Sequence, residues 1–355
     1  MIARWRERRR GCGEKSAGTS APTSVGVPVG GTVLVLGVLS VLLCLVSLAV
    51  GSHSLTLEEV AGAFVPGRTT VASVIVWQLR MPRTVLAVMV GASLAVAGVV
   101  MQGLTRNPLA EPGILGINAG ASLSVVLSMS LLGLTDVSDF LWFAFAGAAL
   151  AAFLVHLMSV RSADAGPARL VLAGVALGAS LRSITGTITM YDSVTFDSYR
   201  FWVLGSLADR DAVLLVWVAP FLAVGLVLAL ASGLTLNALA LGEEQAKALG
   251  VSPRRARALA LTSITLLCGA STAAVGPISF VGLVVPQVLR LALGADQRRL
   301  LAVSLVAGPV LLLAADVVGR VILDSGEMEA GVVTAFIGGP VLLLMVIQRM
   351  GVKGR

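Results

Sequence analysis

The sequence predicts an all-α integral membrane protein with about ten transmembrane helices. Of its 355 residues, 57% are apolar and only 13% are charged. The mean hydropathy is +0.94, and the charges fall between long apolar runs rather than inside them. A globular domain carries roughly 25% charged residues, so the bilayer is the expected solvent. One span needs about 20 apolar residues, and the apolar content therefore suffices for about ten spans with little length left for a soluble catalytic domain.

The elements follow in order. Arg-Trp-Arg-Glu-Arg-Arg-Arg at residues 4–10 and the Gly/Ser/Thr/Pro-rich stretch up to Pro28 read as a disordered basic cytoplasmic tail, residues 1–28. The apolar run from Val29 to Val50 is long enough to span and lacks the short core and small-residue cleavage site of a signal peptide, so it is expected to be a retained first helix. Charge and Gly/Pro punctuation divide the rest into segments at 84–104, 114–133, 140–160, 170–190, 212–231, 258–275, 278–293, 300–322 and 332–349. The ten-helix body is thus 29–350, with a cytoplasmic C-terminal tail at 351–355. With the N-terminus inside, 19 of the 26 Lys and Arg fall on the cytoplasmic side. Six lie outside (Arg68, Arg80, Arg83, Arg200, Arg210, Arg320) and Arg182 lies within a span. That asymmetry supports a multi-pass protein with both termini in the cytoplasm.

Several chemistries find no support. Cys12, Cys44 and Cys268 are far apart and the only histidines are His53 and His156, so neither a disulfide nor a metal site is indicated. No G-x-x-x-x-G-K-[ST] phosphate loop occurs, so any ATP that drives the protein must be bound by another subunit. No catalytic residue is assigned.

An internal echo bears on topology. Gly91-Ala-Ser-Leu-Ala-Val-Ala-Gly98 in the second span matches Gly269-Ala-Ser-Thr-Ala-Ala-Val-Gly276 in the seventh at five of eight positions. Small residues also favour close helix packing on their own account. If the match reflects a repeat, its copies run in opposite directions across the membrane, an inverted plan common in transporters.

The remaining motifs are more specific. Arg80-Met-Pro-Arg83 precedes the Gly91 segment. Gln102 and Thr105-Arg-Asn-Pro-Leu-Ala-Glu-Pro-Gly-Ile-Leu-Gly116 follow, where two prolines bar a continuous helix. Then come Leu170-Val-Leu-Ala-Gly-Val-Ala-Leu-Gly178, Arg200-Phe-Trp-Val-Leu-Gly-Ser-Leu207 and Ala240-Leu-Gly-Glu-Glu-Gln-Ala-Lys-Ala-Leu-Gly250. Gly276-Pro-Ile-Ser-Phe-Val-Gly-Leu-Val-Val-Pro286, Asp316 with Arg320, and Gly331-Val-Val-Thr-Ala-Phe-Ile-Gly-Gly-Pro340 complete the series. Together, over residues 55–350, they closely resemble the FecCD-type permeases of iron-siderophore, haem and cobalamin ABC importers. Two positions depart from that pattern: Gln287 stands where the family commonly has His, and Glu327-Met-Glu329 lacks the family's proline.

The resemblance implies a type II ABC importer permease fold with no cofactor of its own. It further implies a second permease subunit, identical or related, two cytoplasmic ATPases that hold ATP and Mg, and an external substrate-binding protein. No nucleic-acid partner is expected. By the resemblance, Gly242, Glu243, Glu244, Ala246, Leu249, Gly250 and Val251 form the ATPase-coupling elbow. From the residues alone this stretch is equally a solvated loop held inside by Arg254, Arg255 and Arg257, with a short helix that Gly250 and Pro253 end. Arg80, Arg83 and Arg320 oppose the charge asymmetry. They correspond to arginines that dock the binding protein, the alternative being snorkelling or headgroup contact.

Pathway and gate positions fall by resemblance at Asn107, Leu109, Pro167, Ala168 and Trp202, the last in a short outer segment that dips back after the fifth span. Arg182, deep in that span, should avoid lipid. It either pairs with Asp316 or backbone carbonyls, or offers a positive site in the pathway. The expected function is import of an iron-siderophore complex, with haem or cobalamin as the alternative cargo. An ion-coupled secondary transporter is disfavoured, because paired carboxylates deep in the spans are missing.

Overall fold

The computed structural model describes residues 28–51, 55–65, 70–160, 167–323 and 326–353. Most of the basic N-terminal tail, Arg68, the loop residues 161–166 and the last two residues lie outside these. Every regular element among the described residues is helical. In chain order they are α1 (Val29–Ala49), α2 (Leu57–Ala63), α3 (Val71–Val74), a π-helical turn (Ile75–Arg80), α4 (Met81–Thr105), a 3₁₀ turn (Pro112–Leu115), α5 (Ile117–Leu132), α6 (Val137–Val160), α7 (Pro167–Tyr191) and α8 (Ser193–Val203). α9 (Ala212–Ala231), α10 (Gly233–Ala240), α11 (Glu243–Ala248), α12 (Pro253–Val275), α13 (Val281–Leu293), α14 (Gln297–Val321) and α15 (Ala330–Lys353) complete the chain.

Eight helices are long and apolar enough to cross a membrane, and α5 and α13 are shorter apolar helices. These ten coincide with the ten expected spans. The boundaries differ by four residues or more in three places. The second span begins at Val71 rather than 84, because α3, the π turn and α4 run on without a break. The π turn lies just before Pro82, where the ladder must adjust because proline has no N–H to donate to the preceding turn. The seventh begins at Pro253 rather than 258, taking Arg254, Arg255 and Arg257 into its first turns. The tenth continues to Lys353, so the expected tail at 351–355 is largely helical.

The core is built on α4, whose 25 residues include 20 that are buried. Glycines set its approach to neighbours. A Cβ added to Gly98 would overlap the Gly282 carbonyl of α13, and one added to Gly91 would sit 2.8 Å from the Gly308 carbonyl of α14. Backbones meet here as small residues allow. Gly269, the counterpart of Gly91 in the echo, faces Phe145 and Ala148 of α6 instead. The second span therefore packs on the ninth and the seventh on the fourth. That exchange of partners is what a two-fold relation between spans one to five and six to ten requires.

α13 is a helix that its neighbours complete. Phe280, at φ 70°, turns the chain into it, and the Phe280 amide donates to Glu111 Oε1 at 2.6 Å. Pro286 inside the helix has no N–H for the carbonyl four residues back. Gln102 Nε2 donates to that Gly282 carbonyl at 3.4 Å and to Leu283 at 3.5 Å, and Arg290 Nη2 donates to Gln102 Oε1 at 3.1 Å.

Enlarging the tightest contact tests this packing. Gly98→Leu should force α4 away from α13 and cost about 3 kcal/mol or more, read as a lower melting temperature and reduced monodisperse yield in detergent. Gly37→Leu, on α1 with open space around the position, should leave both unchanged.

Candidate functional site

Three regions carry the residues singled out by sequence. At the end of α1 lies a charged cavity of about 440 Å³ lined by Arg80, Arg83, Arg210, Arg320, Asp209 and Glu327, among others. Behind it the Asp316 carboxylate, fully buried, binds two arginines. Arg83 donates to Asp316 from Nε at 3.0 Å and from Nη2 at 2.8 Å, and its remaining edge donates from Nη1 to Glu327 Oε2 at 2.6 Å. Arg320 bonds Asp316 from Nη2. Its Nη1 donates to the Ser47 and Val50 carbonyls at 2.8 and 3.1 Å. Arg80 Nη1 donates to the Leu48 carbonyl at 2.7 Å. The last carbonyls of a helix have no intrahelical partner, and cations there also complement the helix dipole.

The three arginines expected at the docking face are thus brought together. Arg80 and Arg320, each 5% exposed, are also spent on fixing the end of α1. Arg83 alone reaches the cavity with a bond to a partly exposed partner. Arg210, whose Nε has no partner among the described residues, completes the lining. Burial pulls its affinity for the proton down, and the charges of Glu329 and Asp209 oppose that shift.

The second region is the elbow between α10 and α12. Gly250 adopts φ 78°, with the Gly250 N–H on the Lys247 carbonyl and the Val251 N–H on the Ala246 carbonyl, both at 2.9 Å. This double bond pattern is a Schellman ending, and it accounts for glycine at that position. Ala246 is fully buried with Ala238, Leu239 and Ala256, and Val251 packs on the same cluster. Glu243 is ion-paired with Arg257. Of the expected coupling residues, Ala246, Val251 and Glu243 therefore shape the elbow, whereas Glu244, Leu249 and Gly250 are exposed. Leu241 and Leu249, 63% and 64% exposed, form its apolar tip.

The third region comprises the gate positions. Asn107 accepts the Leu109 N–H at 3.0 Å through its side chain and the Ala110 N–H at 3.1 Å through its carbonyl, closing a turn after Arg106. Pro167 opens α7, and Ala168 beside it is exposed. The gate loop continues into the 3₁₀ turn, which lies against α7 at Gly174. Trp202 is buried, edge-on to Phe140 and tilted on Tyr199 at 6.1 Å each. Trp202, expected at the pathway, packs α8 against α6 within this chain. Arg182 is exposed on α7, its guanidinium lying back over Gly178. The expected alternative of a pair with Asp316 is excluded, because Arg83 and Arg320 occupy that carboxylate.

The face of α7 around Arg182 differs from a lipid-facing one in its small and polar residues. Ala176, Ala179, Ser180, Ser183, Gly186 and Thr187 are all exposed, and the hydroxyls of Ser180 and Thr187 are satisfied by carbonyls four residues back. A span with an exposed face of small and hydroxyl residues and an arginine is unsuited to lipid and fits a protein partner or a water-filled path.

Sequence comparison agrees with this reading, since the FecCD transport family matches residues 38–348. The chain belongs to the FecCD transport family. It is 44% identical over 305 residues to the ferric enterobactin transport system permease protein FepD of Escherichia coli strain K12, covering 85% of this chain and 91% of that one. It is 43% identical over 292 residues to the vitamin B12 import system permease protein BtuC of Yersinia enterocolitica, covering 78% and 83% respectively. A solved structure described as an inward-facing conformation of a metal-chelate type ABC transporter superposes with a TM-score of 0.79 at 28% identity, covering 90% of this FecCD chain and 99% of that one.

Reasoning from the sequence missed the fixing of α1 by Arg80 and Arg320, and the capping of α13 by Glu111. The opposition of Arg80 and Arg320 to the charge asymmetry was the available signal for the first. Glu111 lay inside the quoted loop motif but without a partner in view.

Removing the shared counter-charge tests the cluster. Asp316→Ala leaves Arg83 and Arg320 buried without their carboxylate and should destabilise the protein by about 3–5 kcal/mol, measured as a fall in the melting temperature of the purified permease. Glu243→Ala, at the half-exposed pair with Arg257, should cost no more than about 1 kcal/mol.

Proposed function

We propose that this FecCD chain is the permease subunit of an ATP-driven importer that carries an iron-siderophore chelate across the cytoplasmic membrane, with its N- and C-termini in the cytoplasm. The observation that carries this reading is the α7 face. Its small and hydroxyl residues give a second permease subunit, identical or related, a surface to approach, and Arg182 offers the only exposed cation among them to a passing anion. Many ferric chelates are anionic, and a path lined otherwise by small groups lets a bulky cargo pass without holding it tightly. The 44% identity to a ferric enterobactin permease supports the siderophore class. Cobalamin is the second reading, favoured by the similarity to a vitamin B12 permease.

Energy enters from two ATPase subunits that hold ATP and Mg. The apolar tip of the elbow, Leu241 and Leu249 with Glu244 and Lys247 around it, is the seat for one of them, and the second permease subunit seats the other. Its rigidity comes from the Schellman ending and the Glu243–Arg257 pair, so a push on the tip is passed to α12 rather than absorbed in a loose loop. The cavity at the outer end of α1 is the seat for the substrate-binding protein, with Arg83 and Arg210 available to its acidic groups. Asn107, Leu109, Pro167 and Ala168 form the cytoplasmic gate.

Reconstitution with the ATPase and binding protein from the same operon tests the cargo. Uptake of ferric siderophore with none of cobalamin is expected, and the reverse would replace the first reading by the second. Arg182→Gln should lower uptake of an anionic ferric chelate at least severalfold more than that of a neutral one, and equal losses would remove Arg182 from the pathway. Gly250→Val puts a β-branched residue where φ is positive, at a cost of about 1–2 kcal/mol. The elbow should lose its shape, so the ATPase should no longer co-purify. Normal co-purification with normal import would place the coupling elsewhere.

A further inference from the structure

The outer cavity has no surplus of positive charge, and this makes one of its residues a control element. Arg80, Arg83, Arg210 and Arg320 line it together with Asp209, Asp211 and Glu327, and Asp316 lies behind. Among the described residues, four lining cations thus meet three lining carboxylates and Asp316, a formal sum of zero for these eight groups, and Glu329 adds its negative charge near Arg210. An arriving acidic partner finds no surplus positive charge unless an internal carboxylate yields its place.

Only one of the two carboxylates bonded to Arg83 can yield. Asp316 has a fully buried side chain and holds Arg83 and Arg320 at once. Glu327 makes a single bond, to Arg83 Nη1, and its side chain is 28% exposed. Its backbone is held in place next door: the Met328 N–H donates to the Gly319 carbonyl at 2.8 Å, and Gly319 has no Cβ because the Met328 carbonyl fills that space. The side chain of Glu327 can therefore swing away from Arg83 while the segment stays put.

We propose that Glu327 is a displaceable internal counter-ion that competes with a carboxylate of the substrate-binding protein for the outer edge of Arg83, and so sets how tightly and how fast that protein docks. This rests on the docking role proposed above for the cavity. The exchange replaces one Arg83–carboxylate bond by another while Asp316 keeps the inner edge of the guanidinium fixed. The competing charge weakens docking, which favours release after delivery and rejects partners that lack a carboxylate at this position.

The test is the affinity of the substrate-binding protein encoded with this permease for the permease–ATPase complex in nanodiscs, at low and high salt, for wild type, Glu327→Gln, Glu327→Asp and Arg83→Gln. Glu327→Gln removes one negative charge from the cavity. It should bind roughly tenfold tighter at low salt, with the gain shrinking as salt rises. Glu327→Asp, one methylene shorter, should hold Arg83 less well and fall between. Unchanged or weaker docking by Glu327→Gln, where Arg83→Gln weakens it, overturns the proposal and leaves the docking seat standing. If Arg83→Gln docks like wild type, the seat itself is refuted. Should Glu327→Gln fail to fold, Glu327→Asp decides: docking no tighter than wild type overturns the proposal.

Discussion

The buried carboxylate of Asp316 is the interaction on which the end of the bundle around the C-terminus of α1 depends. It lies on α14, one turn before Arg320, and reaches Arg83 on α4. Neither arginine could be buried without it, since an unpaired charge in an apolar interior costs several kcal/mol. Once held, Arg320 has donors to spare for the Ser47 and Val50 carbonyls, and Arg80 adds one to Leu48. The Ser47 hydroxyl meets both Arg320 Nη2 at 3.0 Å and Thr84 Oγ1 at 2.7 Å. α1 is mostly lipid-facing, with only 11% of its window buried, so polar bonds at its end make up for packing it lacks. One carboxylate thereby joins three helices at a single corner.

Deeper in the bundle the joining is steric rather than ionic. Gly91 against Gly308 and Gly98 against Gly282 bring α4 to backbone contact with α14 and α13. In a membrane the hydrophobic effect adds nothing to helix association, so close contact and satisfied polar groups must supply it. α13 shows both: it is short, begins at a strained residue and contains a proline. Its N-terminal amide and its orphaned carbonyl are met by Glu111 and Gln102, both on or just after α4. The helix and the gate loop that carries Glu111 are consequently one mechanical unit.

Much of this was legible in the sequence. Ten apolar runs separated by charge and Gly/Pro punctuation coincide with ten apolar helices, because length and polarity alone decide what can cross a bilayer. The Gly250 ending was legible for a local reason, a glycine placed just after a short acidic-to-basic helix. The extension of the second span back to Val71 was not, since Gln78, Arg80 and Arg83 read as a polar boundary. Arg80 is instead satisfied at the end of α1, 32 residues away at its Leu48 acceptor, and Arg83 by Asp316 and Glu327. The Arg83–Asp316 bond joins residues 233 apart. Local pattern cannot pair such residues, and the same limit left the partner of Arg182 open.

The distribution of burial shows where the chain is complete and where it is not. The α4 window is 83% buried and that of α12 is 72%, whereas α7 reaches only 22%. A lipid-facing helix such as α1 is equally uncovered, but its exposed residues are large and apolar: Leu34, Val35 and Val41 are all above 60% exposed. Those on α7 around Arg182 are mostly Ala, Ser, Gly and Thr, with Val175 and Ile184 among them. The smaller and more polar exposed surface of α7 suits protein or water better than acyl chains. α7 is also the helix against which the gate loop rests, with Gly174 accepting the Ile114 and Leu115 backbone. A shift of α7 relative to the α4–α13–α14 unit would therefore be felt first at the loop that carries Glu111. That makes the uncovered face of α7 and the loop after α4 neighbouring parts of one joint.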